Sequence, residues 1–375
     1  MKVLHIHSGN LYGGVETMMI TLARYRHFSP AMEMHFALCF DGRLSAELEA
    51  AGAPVHRLGN VRTSRPLSIW RVRQELNKLL TRQSFDVAIC HSCWTQPLFG
   101  PIVRAAKLPL IFWLHGEAKG RHWLERWAKL TRPNFAICNS QFTAGTIDKL
   151  YPGVETTVFY CPVAPPELIP TPSERRAVRA ELNTPEDATV IIQVSRIEPL
   201  KGQSIHLRTL GLLRDLPNWV CWQVGGAQRP REQRYFAQLK SMAERLGIAE
   251  RVRFLGQRFD VPQLLAAADV YCQPNTEPDA FGVAFIEAMH ARLPVVTTAI
   301  GGACEIVEES CGILTPPGDM QTLADALRRL IEDRDLRSRL SATGSTRAHQ
   351  LCDPKGQLRK LQSYVAARIE VNSNN

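Results

Sequence analysis

The sequence predicts an α/β protein that consists of two doubly wound domains. Short apolar runs of strand length alternate with helical patterns along the chain, which is typical of parallel sheets covered on both faces. Residues 162–172 contain five prolines and interrupt this alternation, which then starts again. At 375 residues, the chain is long enough for two domains with hydrophobic cores.

The first half contains apolar runs that predict seven strands. They lie at residues 2–8, 34–40, 54–58, 85–90, 109–114, 134–138 and 156–160. Helical patterns between them cover 14–26, 66–82 and 140–150. Ligands of such sheets bind beyond the carboxyl ends of the strands, so the loops that follow the strands are the places to look for a site.

The second half repeats this organisation after the proline-rich linker. Its predicted strands lie at residues 188–194, 219–224, 252–255, 269–273, 294–298 and 312–315. The tail from Asp319 to about Ile369 is strongly helical. We therefore predict a first domain over 1–165, a second over 166–355, and a C-terminal helix over 356–375 that can cross back to the first domain.

Composition excludes several classes of protein. No apolar run approaches the roughly 18 residues of a membrane span, and residues 3–6 predict a first strand instead of a signal peptide. Most of the ten cysteines lie in apolar runs, which favours a reducing cytoplasm. Residues 1–165 contain 19 Lys/Arg against 11 Asp/Glu and so carry most of the net charge of +9. A basic surface attracts phosphorylated substrates, anionic lipid or nucleic acid, or it simply aids solubility.

Two carboxylates, Asp279 and Glu287, stand on either side of a Phe281-Gly282 break. The pattern predicts a loop that leads into a helix, with Glu287 one to two turns inside. Unpaired N–H groups and the helix dipole make such an N-terminus suitable for phosphate, and Gly282 lets a ligand approach the backbone. Hydroxyl-binding carboxylates beside a phosphate site suit a nucleotide sugar.

Two cations, Arg196 and Lys201, follow the predicted strand 188–194 in the run Ser195–Gly202. Fixed cations at this position can bind a pyrophosphate and stabilise negative charge that develops on a leaving group. A solvated basic turn is the alternative interpretation.

These motifs, in this order, resemble the donor site of glycosyltransferase family 4, the retaining group 1 enzymes. The family pattern is an acidic residue, seven residues and Glu, with Phe-Gly early in the gap; here Asp279 replaces the more usual Glu. The resemblance covers nearly the whole chain and implies the GT-B architecture, with two Rossmann-like domains and a cleft between them. It implies that Arg196, Lys201 and Asp279 are catalytic. The donor-binding residues that we predict with these three are Gly13, Gly14, Gly225, Phe281, Gly282, Val283 and Glu287.

The predicted first domain offers two further candidates. Gly13-Gly14 precedes a helix but is not part of a dinucleotide fingerprint; the family has a similar glycine pair that faces the donor, and an ordinary turn is the alternative. His115 follows a predicted strand and resembles the family's active-site His, so we predict a catalytic role for it against a purely structural one. His91 is similarly placed but less specific.

Two metal-like patterns are interpreted as incidental. Asp333-Arg-Asp335 lies between predicted helices among arginines, which indicates solvated surface. Cys90 and Cys93 form a CxxC pair without a second pair at zinc spacing. We therefore expect no metal and no cofactor apart from the nucleotide-sugar co-substrate.

Residues 119–132 mix basic side chains with Trp123, Trp127 and Leu130. At helical spacing, these three apolar residues share a face and can be core. Alternatively, the segment contacts anionic membrane headgroups through its basic residues. The further arginines of the first half that would add to this surface are Arg62, Arg65, Arg71 and Arg73.

Together with these patterns, the family resemblance implies a retaining, metal-independent glycosyltransferase of the hexosyltransferase type. It would move a sugar from a nucleotide-diphosphate sugar to a glycan, lipid-linked or small-molecule acceptor in cell-surface polysaccharide synthesis. The expected location is the cytoplasm, including the inner face of the membrane, and nucleic acid is not an expected partner. The alternatives are a GT-B-like sugar-nucleotide epimerase and a non-catalytic nucleotide-sugar-binding protein.

Overall fold

The computed structural model describes residues 1–9, 13–166, 170–227 and 229–373. The chain divides into two compact units. The first unit comprises Met1–Val163 and Cys352–Asn375, and the second comprises Ala164–Leu351. The predicted boundaries at 165/166 and 355/356 lie close to these positions.

Within its described residues, the first unit forms a seven-stranded parallel sheet. Its strands are β1 (Lys2–His7), β2 (Glu33–Leu38), β3 (Val55–Arg57), β4 (Val87–His91), β5 (Leu110–Leu114), β6 (Phe135–Cys138) and β7 (Thr156–Val158). Their order is β3-β2-β1-β4-β5-β6-β7. The order reverses between β1 and β4, so their carboxyl ends flank the switch point at which open α/β sheets bind ligands.

The helices between these strands are α1 (Gly14–Arg24), α2 (Arg43–Ala50), α3 (Pro66–Arg82), α4 (Thr95–Ala105), α5 (Trp123–Ala128) and α6 (Gln141–Ala144). Helix α3 illustrates how the sequence specifies them. It begins with proline, whose fixed φ suits the first helical position. It buries Val72 and Leu76, which are four residues apart and therefore share one face.

Helix α4 contains Pro101 in its interior. Proline has no N–H, so the carbonyl of Pro97 loses its helical donor. Arg73 of α3 supplies a replacement, since its Nη2 donates to Pro97 O and its Nε donates to Leu98 O, both at 2.8 Å. The expectation that Arg73 adds to a free basic surface is therefore wrong, because its guanidinium supports α4.

The second unit forms a six-stranded parallel sheet in its described residues. The strands are β8 (Thr189–Val194), β9 (Trp219–Val224), β10 (Val252–Gly256), β11 (Val270–Gln273), β12 (Val295–Thr298) and β13 (Gly312–Thr315). The order is β10-β9-β8-β11-β12-β13, with a reversal between β8 and β11. The helices are α7 (Pro172–Glu181), α8 (Gln203–Leu212), α9 (Pro230–Arg245), α10 (Val261–Ala267), α11 (Val283–His290), α12 (Ala303–Ile306), α13 (Met320–Glu332) and α14 (Arg334–Cys352).

The last helix, α15 (Pro354–Ser373), lies in the first unit. It buries Leu358, Leu361 and Val365. Lys360 Nζ donates to Val158 O at 2.9 Å, and Tyr364 OH donates to Ala136 O at 3.3 Å. The helix therefore packs beside β6 and β7, the edge of the sheet farthest from β3.

The central strands of both sheets are buried, as is typical of parallel sheets covered on both faces. In the first unit, Leu4, Ala88 and Leu110 from three neighbouring strands share one core cluster. In the second unit, Ile191 and Val270 pack with Leu327 of α13. These cores fix the strand ends from which the site loops emerge.

Each predicted strand corresponds to an observed strand, but two helical expectations need correction. Residues 140–150 form α6 and a separate 3-10 turn over Ile147–Lys149 instead of one helix. Trp123 and Leu130 are 54% and 80% exposed, so they are not core residues. The reason is that α5 is short and buries Glu125 and Ala128. In the described part of the chain, no helix is long and apolar enough to cross a membrane.

Candidate active site

Lys201 and Asp279 meet as an ion pair at the carboxyl edge of the second sheet. Lys201 Nζ lies 2.5 Å from Asp279 Oδ2, and the two side chains are only 14% and 23% exposed. The loops after β8 and β11 are also joined through their backbones, since Thr276 N donates to Leu200 O at 3.0 Å. The structure thus places the cation of one predicted motif against the acid of the other.

The loop that carries Asp279 is held from its other side by Gly301-Gly302. Gly302 N donates to Asp279 O at 2.9 Å. A Cβ atom on Gly302 would lie 2.7 Å from Phe281 Cα and Ala280 O, so only glycine allows this approach. Asp279 Oδ1 accepts from Ala280 N at 3.0 Å. Both carboxylate oxygens are therefore engaged, which fixes the orientation of Asp279.

Gly282 caps the N-terminus of α11 with a φ of +111°, a region that L-residues with a side chain rarely adopt. Val283 is the first helical residue and is partly buried, whereas the ring of Phe281 is only 2% exposed. The predicted loop-to-helix transition is confirmed at this point. The buried ring of Phe281 anchors this turn in the hydrophobic interior.

Glu287 lies one turn inside α11, as the spacing predicts. Burial raises the pKa of its carboxyl to about 7. No side chain or N–H that the structure describes hydrogen bonds to this carboxyl group. A ligand hydroxyl that donates to Glu287 would therefore supply a hydrogen bond that the described residues do not provide to this desolvated carboxyl group.

Arg196 forms its ion pair with Glu198, whereas Lys201 pairs with Asp279. Arg196 Nη1 lies 2.9 Å from Glu198 Oε1, and the Arg196 side chain is 43% exposed. Gln203 Nε2 donates to Arg196 O at 2.8 Å and to Ser195 Oγ at 3.1 Å. Sequence reasoning missed Glu198 and Gln203. Glu198 lies within the Arg196–Lys201 motif and was visible there, whereas the role of Gln203 depends on the turn between β8 and α8.

The backbone conformation and close contacts of Gly225 explain why glycine occupies this position in the second unit. Its φ is +151°, and a Cβ atom there would overlap the carbonyl oxygen of Ser195. Its N–H donates to Gly256 O at 2.8 Å. Gly225 thus lets the loop after β9 approach the loop that carries Arg196. Its predicted contact with the donor stays a prediction.

His115 belongs to a chain of hydrogen-bonded rings at the carboxyl edge of the first sheet. His115 Nε2 lies 2.8 Å from His91 Nδ1, and His91 Nε2 lies 2.9 Å from His5 Nδ1. Asn139 Nδ2 lies 3.1 Å from His115 Nδ1. Burial lowers the pKa of His115 to about 3 and that of His5 to about 3, so these rings are neutral at physiological pH.

Trp113 determines the direction of every bond in this chain. Its indole can only donate, and Trp113 Nε1 donates to Asn139 Oδ1 at 2.8 Å. Asn139 must then turn its NH₂ group towards His115 Nδ1, which accepts. His115 Nε2 therefore carries the proton and donates to His91, which in turn donates to His5. Both nitrogens of His115 are engaged, so the structure fixes its tautomer and orientation.

The Gly13-Gly14 pair opens α1, with Gly13 at the N-cap in an extended conformation. Residues 10–12 of the same predicted loop lie outside the described residues. Beside the pair, His7 Nε2 lies 3.4 Å from Glu16 Oε1, and both side chains are 8% exposed. The glycine pair and His115 thus both belong to the carboxyl edge of the first sheet.

Two sequence families match almost all of this chain between them. "Glycosyltransferase Family 4" matches residues 12–165, and "Glycosyl transferases group 1" matches residues 174–347. The chain belongs to glycosyltransferase family 4.

Individual relatives of this family 4 protein agree with that assignment. The lipopolysaccharide core biosynthesis glycosyltransferase LpsD of Rhizobium meliloti is 26% identical over 351 residues, which cover 92% of each chain. A D-inositol 3-phosphate glycosyltransferase of Nocardioides is 29% identical over 238 residues, 60% of this chain and 49% of that relative. The match to a second such enzyme, from Stackebrandtia nassauensis, covers 42% of its length at 34% identity. This family 4 chain thus spans about half the length of these two relatives.

Solved structures confirm the predicted GT-B class. HepE of Anabaena, crystallised with UDP and with UDP-glucose, superposes with a TM-score of 0.86 at 27% and 26% identity. The match covers 98% of this chain and 100% of HepE. The lipopolysaccharide glycosyltransferase WaaG shares the fold, with a TM-score of 0.71 at 17% identity.

The two metal-like patterns of this family 4 protein occupy ordinary structural positions in the described residues. Among the described residues, no group of three or more His, Cys, Asp or Glu side chains could hold a metal ion. Asp333 Oδ1 instead accepts from Leu336 N at 2.8 Å and so caps α14. Cys90 and Cys93 are free thiols, and burial raises the pKa of Cys93 to about 12.

Proposed function

We propose that this protein is a retaining glycosyltransferase that moves a sugar from a UDP-sugar to a glycan acceptor in cell-surface polysaccharide synthesis. The observation that carries the proposal is the partly buried Lys201–Asp279 pair beside the glycine-capped start of α11 and the unpaired Glu287. The UDP and UDP-glucose bound to HepE support UDP as the donor nucleotide. The lipopolysaccharide role of LpsD supports the cell-surface acceptor.

In the proposed reaction, the bond between the sugar C1 and the UDP oxygen breaks, while the acceptor oxygen bonds to C1 on the same face. The acceptor proton passes to the departing diphosphate, and the products are UDP and a glycoside. Arg196 and Lys201 stabilise the charge of the diphosphate, so the reaction needs no metal. Asp279 orients Lys201 and binds the sugar, Gly282 and Val283 offer backbone to the phosphates, and Glu287 binds ribose hydroxyls.

The first unit is proposed to hold the acceptor. His115 enters this scheme as a neutral ring of fixed tautomer, because His91 and Asn139 engage its two nitrogens. The Gly13-Gly14 turn opens α1 at the same sheet edge and is proposed to line the acceptor site of the first unit.

The thermal stability of the purified protein in the presence of UDP, GDP, ADP and their sugar conjugates tests the donor. A ligand that binds only the folded protein raises the melting temperature. We expect UDP and one UDP-sugar to do so selectively, and Arg196→Ala/Lys201→Ala to abolish the effect. The control Arg234→Ala/Lys240→Ala removes the same charge from exposed positions on α9 and should respond as the wild type. No response to any nucleotide would contradict the proposal.

Product analysis separates the alternatives. A transferase releases UDP together with a new glycoside when incubated with UDP-sugar and an acceptor. An epimerase would change the sugar without forming a glycoside. A binding protein would leave the donor unchanged.

We also propose that residues 119–132 contact an anionic membrane surface. Trp123 and Leu130 are 54% and 80% exposed beside exposed Arg126 and Lys129, a combination that suits the interface between headgroups and acyl chains. Trp123→Ala/Leu130→Ala should weaken binding to vesicles of phosphatidylcholine and phosphatidylglycerol, whereas Leu212→Ala, an exposed residue of the second unit, should not. A location at the inner face of the cytoplasmic membrane stays a prediction.

A further inference from the structure

A cavity of about 710 Å³ opens at the carboxyl edge of the first sheet, away from the histidine chain. Phe40 follows β2 on one side, and the loop after β3 with the first turn of α3 forms the other. Strands β2 and β3 lie at the end of the sheet, beyond β1. A cavity of this size can hold a small ligand or one group of a larger one.

Three arginines line this cavity: Arg62, Arg65 and Arg71. All three are exposed, and none forms an ion pair with any residue that the structure describes. By contrast, the neighbouring Arg57 of β3 forms ion pairs with both Asp41 and Glu49. Among the residues that the structure describes, no acidic side chain lines the cavity. Three guanidinium groups without a counter-charge in one cavity favour a multiply charged anion.

The backbone that carries two of these arginines is already fixed. Ser68 Oγ accepts from Arg62 N at 3.0 Å and donates to Arg62 O at 2.9 Å or Arg65 O at 2.7 Å. Arg65 N also donates to Arg62 O at 2.9 Å. A loop held in this way loses little freedom when a ligand binds.

The other lining groups suit a phosphate or a phosphorylated sugar. Asn60 and Ser64 line the cavity and add hydrogen-bonding groups. Leu67, at the edge of the cavity, is 72% exposed, and Trp70, one helical turn further on, is 60% exposed. The cavity therefore combines three cations, polar side chains and an adjoining apolar surface that could cover a sugar ring or an acyl chain.

We infer that this arginine cavity, defined by Arg62, Arg65 and Arg71, binds a phosphate or diphosphate group of the acceptor. The inference rests on the proposed function only in assigning the anion to the acceptor. The phosphate comes from one of two sources, a soluble phosphorylated glycan or a lipid headgroup.

Inorganic pyrophosphate serves as the probe, and isothermal titration calorimetry measures its binding to the full-length protein. The reference protein carries Arg196→Ala/Lys201→Ala, so that pyrophosphate cannot bind at the donor motif. In this background, Arg62→Ala/Arg65→Ala/Arg71→Ala should weaken pyrophosphate binding by about tenfold or more. The matched control Arg82→Ala/Arg104→Ala/Arg359→Ala removes the same charge from exposed positions of the same unit, outside residues 119–132, and should bind as the reference does.

An unchanged affinity in the cavity variant, or an equal loss in the control, would overturn the inference. Arg71→Lys provides a second variant of milder character, and it should bind pyrophosphate more weakly while melting at the wild-type temperature. UDP binding to proteins with intact Arg196 and Lys201 is measured separately. Arginine-dependent pyrophosphate binding without UDP binding would refute the transferase and leave the cavity assignment standing.

Vesicles distinguish the two sources of phosphate. If the acceptor is lipid-linked, the cavity variant should sediment less than the control with phosphatidylcholine vesicles that contain phosphatidic acid. If the two variants sediment equally while pyrophosphate binding differs, the cavity binds the phosphate of a soluble acceptor. Both results agree with a phosphate site.

Discussion

The carboxyl edges of the two sheets are built in opposite ways. In the first unit, neutral rings lie at the centre of the edge, with His115, His91 and His5 in one hydrogen-bonded chain, and the arginine cavity lies farther out, beyond β1. In the second unit, the edge carries charge, with Lys201 against Asp279 and Arg196 against Glu198. Both edges follow the same doubly wound topology. The difference shows that one backbone plan can present either a neutral or a charged surface, depending on the residues that follow the strands.

The difference extends to how each edge is held in place. Side chains hold the first edge, since Trp113 positions Asn139 and Asn139 positions His115. Close backbone contacts at glycines hold the second, where side chains on Gly202, Gly225 or Gly302 would collide with neighbouring backbone. One substitution can change the hydrogen bonds of a side-chain network without a steric clash. At the close glycine contacts, any added side chain would collide with the neighbouring backbone. The four predictions below test this contrast.

The largest effect is expected from Lys201→Met, which removes a charge proposed to stabilise the leaving diphosphate. We expect kcat/KM for UDP-sugar turnover to fall by about 10²–10³-fold, the range found when a preorganised stabilising group is lost. Lys240→Met, at an exposed position of α9, is the control and should keep wild-type turnover. If His115→Gln in the first unit costs as much as Lys201→Met, the division into a charged and a neutral edge does not describe catalysis.

Gly202→Ala should destabilise the second unit by about 3 kcal/mol or more, because the new methyl group would overlap the carbonyl oxygen of Pro274. Gly247→Ala is a close control. Gly247 has a φ of +69° against +71° for Gly202, and it has nothing within 4 Å of its ideal Cβ position. It should cost about 1 kcal/mol from backbone strain alone. Urea denaturation measures both, and equal costs would show that the close contact is not needed.

Asn139→Asp should reverse the histidine chain. An ionised carboxylate only accepts, so His115 Nδ1 would have to carry a proton and donate to it. The new charge should raise the pKa of His115 from about 3 by about 1–3 pH units, which NMR of the imidazole resonances can follow. Asn134→Asp is the control, because Asn134 Oδ1 accepts from Leu110 N at 3.0 Å and a carboxylate can do the same. A His115 that does not respond would show that Asn139 does not control it.

Glu287→Gln should have a smaller effect that depends on pH. The folded-state pKa of Glu287, about 7, lies above its ordinary value of 4.5, so the desolvated carboxylate disfavours folding increasingly as the pH rises from about 4.5 to 7. Glu287→Gln removes this penalty. Relative to wild type, the variant should gain about 2 kcal/mol of unfolding free energy between pH 5 and pH 8. Glu244→Gln on the surface of α9 should show no such trend, and a flat profile for Glu287→Gln would place its carboxyl in a well-solvated position.

Local patterns sufficed to predict the strands, the α3 helix and the loop-to-helix step at Gly282, because each depends on neighbouring residues. Helix α4 escaped prediction because Pro97, Gly100 and Pro101 argue against a helix, and only Arg73 from α3 explains how it forms. The exposure of Trp123 escaped because periodicity does not reveal that α5 ends before Leu130.

The candidate site likewise combines residues that local sequence predicts with contacts that depend on the whole fold. Lys201 and Asp279 were each predicted from their own motif, but their 2.5 Å contact spans 78 residues of sequence. The histidine chain could not be predicted, because it depends on β1, β4 and β5 being neighbours in the sheet. Strand order is a property of the whole fold, so Asn139 and His5 carry no local signal.

The placement of α15 in the first unit affects how the protein is made. The first unit needs Met1–Val163 and also Cys352–Asn375, and these segments are joined by a hydrogen bond from Val163 N to Cys352 O at 3.0 Å. A ribosome has translated the whole second unit before it reaches α15. The second unit can therefore finish folding first. Strands β6 and β7 can pack against α15, which buries its own Leu361 and Val365, only after α15 has been translated. The first unit can therefore complete its fold only after the whole second unit has been synthesised.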